Sequence, residues 1–125
     1  MIACGARAGI GFSAGLAVFP YYSLANGFLT GKYRSEDDAS KSVRGGRTVA
    51  YLDERGRRVL AALEDVAAET DAAMASVALA WLKAQPTIAA PIASATKVEQ
   101  ANELVAALNL ELTPGQIEQL SAASA

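Results

Sequence analysis

No histidine occurs in the 125 residues, and Cys4 is the single cysteine. The commonest general base and the commonest metal ligand are therefore missing together, and nothing remains to assemble a zinc site. A lone cysteine excludes an internal disulfide, so a reducing compartment, the cytoplasm, is expected. No apolar run approaches the roughly 20 residues of a membrane helix. The net charge of -2 gives no electrostatic reason to expect nucleic acid or an anionic membrane as partner.

What remains is 52% hydrophobic and 19% charged, the balance of a soluble globular protein rather than a disordered one. There is room for one domain, burying about two-thirds of the surface of the unfolded chain if it folds alone. Residues 1–15 are rich in glycine and alanine and follow neither helical nor strand periodicity, so a poorly ordered leader is expected. Gly9, Gly11 and Gly15 loosely suggest a dinucleotide fingerprint, but that motif follows a strand, and here a strand comes after it. The leader is not a secretory signal, because no long apolar segment follows its one early charge, Arg7.

Residues 16–19, Leu-Ala-Val-Phe, read as a short buried strand stopped by Pro20, which cannot donate to a sheet ladder. Two rings, Tyr21 and Tyr22, follow at its carboxyl end, where they can lie flat on a planar ligand. Gly27 and Gly31 allow close backbone approach, and Lys32 adds a cation beside them. This is not a phosphate-cradling P-loop. Three residues separate the glycines where that motif has four, and Tyr33 stands where it has serine or threonine. From the residues alone, a ligand-binding loop and an ordinary surface loop both remain open.

Residues 34–49 are polar and aperiodic, and read as a long loop of the kind that is either a functional lid or disordered. Residues 52–70 read as an amphipathic helix with Leu52, Val59, Leu60, Leu63, Val66 and Ala67 on one face. Asp53 and Glu54 favour its dipole in the first turn, and Gly56 weakens it by roughly 1 kcal/mol against alanine. Glu64 and Asp65, being sequence neighbours, share no face and read as a solvated side. A second helix spans residues 73–84, with Met74, Val77, Ala78, Trp81 and Leu82 as its core stripe and Pro86 closing it.

Residues 87–92 form the next strand candidate. Small residues and then a helix opening at Thr96 and Lys97 follow it, a combination suited to anions through the orphan N–H groups of the first turn. A plain capped helix fits the same residues. Its expected buried stripe is Val98, Ala101, Leu104, Val105 and Leu108. A last helix starts with Thr113 as N-cap, Pro114 as first residue and Gln116 closing a capping box, and it docks through Ile117 and Leu120.

Residues 20–33, Pro-Tyr-Tyr-Ser-Leu-Ala-Asn-Gly-Phe-Leu-Thr-Gly-Lys-Tyr, resemble the Y-S-P-L-A-x-G-x-L-T-G-K-Y segment of the aldo-keto reductases, differing at Tyr22 and Ser23. Residues 92–104 resemble that family's I-P-G-A-(S/T)-(K/R)-x-x-Q-x-x-E-N signature, with Ala93 at the proline and Leu104 at the asparagine. Val77 to Leu82 (V-A-L-A-W-L) and the L-T ending near Thr113 are similar to it as well. The resemblance implies an α/β fold, the last two strand–helix units and C-terminal helix of a (β/α)8 barrel over residues 16–125.

It also implies NADP(H) as cofactor. Tyr21 would stack on the nicotinamide, with Tyr22, Ser23, Leu24, Ala25 and Asn26 lining the cofactor. Lys32 and Arg44 would stand near its phosphates. Ser94 takes a glycine or lysine position, Thr96 would contact the 2′-phosphate, Gln100 phosphate or ribose, and Glu103 the adenine amine. The family reduces aldehydes and ketones with a catalytic Asp, Tyr, Lys and His carried on earlier strands, which this chain is expected not to contain. It is then expected to be inactive alone and to associate through exposed sheet edges. The alternative is a non-enzymatic α/β module that completes another chain.

Overall fold

The computed structural model describes residues 15–41, 47–48 and 50–125. Residues 1–14, most of the expected leader, lie outside the described residues, as does Arg44. Among the described residues the fold is carried by α1 (Glu54–Thr70), α2 (Met74–Lys83), α3 (Val98–Asn109) and α4 (Pro114–Ser124). Two 3-10 helices precede them, Ala25–Thr30 and Glu36–Lys41. The central α2 packs on α1, α3 and the first 3-10 helix, while α4 packs on α1.

The core follows the helical periodicity of α1 closely. Val59, Leu60, Leu63 and Val66 are buried, and Leu52 and Ala67 pack at their edge. Asp53 is the N-cap of this helix, its carboxylate accepting from the Gly56 N–H at 2.6 Å. Gly56 itself is a steric requirement rather than a weakness. A Cβ there would fall on the Tyr51 carbonyl, well inside contact distance, with Phe28 Cζ 3.0 Å away.

In α2, burial extends well beyond the expected stripe: Ala75, Ser76, Leu79 and Ala80 are buried along with Val77, Ala78 and Leu82. Ser76 is accommodated because its hydroxyl donates to the Glu103 carbonyl at 2.8 Å, tying α2 to α3. The capping box of α4 forms as read. Thr113 N–H donates to Gln116 Oε1 at 3.0 Å, and Gln116 N–H donates to Thr113 Oγ1 at 3.3 Å. Leu120 is buried, Trp81 Nε1 donates to Ser121 Oγ at 3.1 Å, and the Arg55 guanidinium donates to the Ser124 carbonyl, so α4 is pinned at several points.

Three expectations are corrected. Residues 16–19 and 87–92 do not form strands; they meet in one parallel bridge, Val18 with Ile88. Val18 N–H donates to the Thr87 carbonyl at 3.1 Å, and the Val18 and Pro20 carbonyls accept from Ala89 and Ile92, both at 2.9 Å. Pro20 and Pro91 each lack the donor that would extend the ladder.

The second correction concerns residues 34–49, which are not loop throughout. Asp38 accepts from the N–H groups of Arg34 (2.7 Å) and Ser35 (3.0 Å), organising the Glu36–Lys41 turn. The third concerns the stripe of α3, of which Leu104 alone is half-buried. Val98, Val105 and Leu108 are 72%, 58% and 69% exposed, and Ala101 is exposed too. The helix meets α2 through Ala107 and Leu104 instead, where Leu79, Leu82 and Trp81 wait. The Lys83 ammonium, 2.7 Å from the Leu108 carbonyl and 3.3 Å from those of Ala107 and Leu110, caps its C-terminal end.

Candidate functional site

The loop after the Val18 bridge turns sharply. Pro20 O accepts from Ser23 Oγ at 2.7 Å, and Tyr22 O accepts from Ala25 N–H at 2.9 Å. Ala25, Asn26 and Gly27 then take φ of 48, 58 and 92°, three consecutive left-handed residues. Glycine suits that region at no steric cost and asparagine tolerates it, whereas alanine is held there against its preference. The surroundings that hold it are buried: Phe28 and Leu29 sink into the core, Thr30 Oγ1 donates to the Gly27 carbonyl at 2.7 Å, and the buried Thr48 donates to the Asn26 carbonyl at 3.3 Å. Lys32 leaves this turn with its ammonium 5.0 Å from the centre of the buried Tyr33 ring. Arg34 braces the exit, donating to the Gly31 carbonyl at 2.8 Å and pairing with Glu64 at 3.1 Å.

The second segment leaves the bridge at Ile88 and runs without regular structure to the start of α3. Lys97, the N-cap, makes no side-chain capping bond, so no side chain of that residue covers the first-turn N–H groups. Just ahead of it, Gln100 Oε1 accepts from both Thr96 N–H (2.9 Å) and Thr96 Oγ1 (3.1 Å).

These two segments face each other across an open cleft of about 460 Å³. Of the expected site residues, Tyr21, Tyr22, Ser23, Leu24, Asn26 and Lys32 line one side, and Ser94, Thr96, Gln100 and Glu103 the other. Ala25 does not line it, because its methyl group is turned into the core. Tyr21 and Tyr22 are 68% and 55% exposed, with ring centroids 4.4 Å apart and planes tilted by 41°. Ser23 is buried with its hydroxyl committed to Pro20, so it serves the loop's shape.

Thr30, Ala75, Ala93 and Leu104, none of them among the expected cofactor-binding residues, line the cleft too. Thr30, Ala93 and Leu104 stand inside the two quoted motifs. Ala75 carries no chemical signal, and only the packing of α2 beneath α3 brings it there.

Chemically the cleft offers exposed rings and an ammonium on one side and a helix N-terminus with amide and hydroxyl groups on the other. That suits an elongated ligand with a planar ring and anionic groups. Among the described residues no group of three or more His, Cys, Asp or Glu side chains is placed to hold a metal ion. None of their helices is long and apolar enough to cross a membrane.

Comparison with known proteins agrees with this reading of the motifs. The model of the "Aldo/keto reductase family" matches residues 10–125. The uncharacterized oxidoreductase YrpG of Bacillus subtilis is 37% identical over 100 residues, covering 78% of this chain and 29% of that protein. An aryl-alcohol dehydrogenase [NADP(+)] of Phanerodontia chrysosporium is 35% identical over 116 residues, 86% of this chain and 29% of its own length. Protein tas of Escherichia coli is 28% identical over 110 residues, 86% of this chain and 32% of its own. The chain thus spans about a third or less of these relatives. With a match over nearly its whole length, the chain belongs to the aldo/keto reductase family.

Proposed function

We propose that the chain forms the last two strand–helix units and closing helix of a (β/α)8 barrel, the part that clasps NADP(H) in an enzyme reducing aldehydes or ketones. The carrying observation is the convergence of two distant segments, residues 21–32 and 94–103, on one cleft beside a parallel bridge. Parallel pairing across a helical crossover is the connection such a barrel uses, and here the crossover contains α1 and α2. NADPH, when bound, supplies the hydride that converts a carbonyl to an alcohol.

The chain's own residues bind and orient it. The Tyr21 and Tyr22 rings offer flat apolar faces to the nicotinamide. Lys32 and the first turn of α3 receive anionic phosphates, and Glu103 accepts from the adenine amine. The chain has no histidine, so that member of the family's catalytic set is not among its residues. In this reading it works in the cytoplasm and does no chemistry alone.

A second reading, a non-enzymatic module that completes another chain, is favoured by the exposed Leu16, Phe19, Val98, Val105 and Leu108. Equilibrium titration of the purified chain with NADPH, followed by an aldehyde-reduction assay, separates the two. Saturable NADPH binding without turnover of aromatic or aliphatic aldehydes is expected. Absence of binding favours the second reading, and turnover above a tag-only control sinks the assignment of the chemistry to other residues.

A further inference from the structure

We infer that the exposed face of α3 is a contact between two copies of this chain, laid antiparallel about a two-fold axis. Val98, Ala101, Val105 and Leu108 recur at steps of three, four and three, the spacing of a seam that meets one facing helix. All four are exposed, the three larger ones by more than half. Gln100 and Glu103, which line the cleft, lie well round the helix from this seam at about 100° per residue.

The borders of the seam are not those of a solvated face. Asn102, Ala106 and Asn109 run along one flank without a charge. Along the other, an apolar groove of about 270 Å³ joins Val105 and Leu108 to Leu79 and Pro91. Lys83 is the charged residue lining that groove, and its ammonium is already held by carbonyls at the end of α3.

Charge at the two ends chooses the occupant. Lys97, Leu104 and Glu111 recur every seven residues beside the seam, and Lys97 and Glu111 are both exposed. In an antiparallel pair Val98 faces Leu108 of the second copy and Ala101 faces Val105, so every layer combines unlike sizes. The same register sets Lys97 against Glu111 of the second copy, twice by symmetry. Asn102 then meets its own counterpart across the axis, where two amides can exchange hydrogen bonds. A parallel pair would instead stack Ala101 on Ala101 and gather both Lys97 ammoniums at one end. Opposed helix dipoles favour the antiparallel choice as well.

A helix of 12 residues is about 18 Å long, so the contact falls at the low end of specific interfaces, under about 1,200 Å². A weak dimer is the outcome to look for. Sedimentation of the full chain over a range of concentrations should show a monomer–dimer equilibrium with a Kd of about 10–100 μM. Leu108→Glu places two unpaired carboxylates in the seam and should weaken the dimer about tenfold or more, with the circular dichroism spectrum of wild type retained. Lys97→Glu and Glu111→Lys should each weaken it about three- to tenfold, and the double exchange should return it to within about twofold of wild type.

A chain that stays monomeric at every concentration assigns this face to a different chain or segment and overturns the inference. A dimer that Leu108→Glu leaves intact overturns it too, by placing the contact elsewhere. Failure of the double exchange to rescue the single variants overturns the antiparallel register. Neither the seam nor these measurements involve a nucleotide, so this inference and the functional reading stand or fall separately.

Discussion

The two sides of the cleft are held in place by different means. Residues 21–32 belong to the core as much as to the site: Ser23, Ala25, Phe28 and Leu29 are 3%, 6%, 3% and 2% exposed, and α1, α2 and Thr48 all touch that turn. Opposite them, Ser94 and Thr96 are exposed, Gln100 and Glu103 half-buried, and the local bonds run chiefly among neighbours. One side is therefore shaped by folding, and its left-handed residues are imposed by the packing around them. The other is a helix start that can rearrange at little cost to the core. Substitutions in the first should register as stability and drag binding with them, while substitutions in the second should register as binding alone.

The strongest way to break that contrast is Phe28→Ala. Its ring is 3% exposed and lies 5.6 Å from the Tyr51 ring, directly under the turn. Emptying that site should cost about 3–5 kcal/mol in chemical denaturation, enough to unfold much of a marginal domain. A loss under 1 kcal/mol would mean the turn is not anchored through the core.

Next comes Gly56→Ala, a single methyl group aimed at the Tyr51 carbonyl and, 3.0 Å away, at Phe28 Cζ. Backbone has to move, and about 1–3 kcal/mol of stability should go with it. In an exposed helix the same change would be worth roughly 1 kcal/mol in the opposite direction, so even the sign discriminates. Gly27→Ala is milder. A Cβ there meets only Lys32 and Tyr33 at ordinary contact distances of 3.5 Å and beyond, which leaves the φ of 92° as the whole penalty, about 1–2 kcal/mol.

Much of this architecture was legible in the sequence, and the misses have physical causes. The stripe of α1 and the capping box of α4 were readable because each depends on residues within a turn or two of one another. The α3 stripe was readable as a stripe, but periodicity says only which side chains share a face, not whether another element covers it. Val98, Val105 and Leu108 show the difference. Gly56 was read as a local weakness because the contact that demands it, the Tyr51 carbonyl, comes from the chain folding back on the helix start. The strand candidates meet, yet Pro20 and Pro91 limit them to one bridge, so neither becomes a strand. The convergence of the two segments came from motif resemblance rather than from composition, and Ala75 lies beyond either signal.

The smallest effect sharpens the comparison most. Tyr21 stands on the anchored side and yet is 68% exposed, its ring touching Tyr22 rather than the core. If anchoring belongs to the turn and not to everything mounted on it, Tyr21→Ala should leave the denaturation midpoint within about 0.5 kcal/mol of wild type. Binding should still weaken, because an aromatic contact is worth about 0.5–1.5 kcal/mol, or roughly two- to tenfold in affinity. The nicotinamide ring is common to both cofactors, so NADPH and NADH should lose the same factor. Parallel titrations of the Tyr21 variant with both nucleotides measure this directly. A selective loss of NADPH would put the 2′-phosphate at the wrong end of the cleft. A large loss of stability would mean that the exposed rings, too, are part of what holds this side in shape.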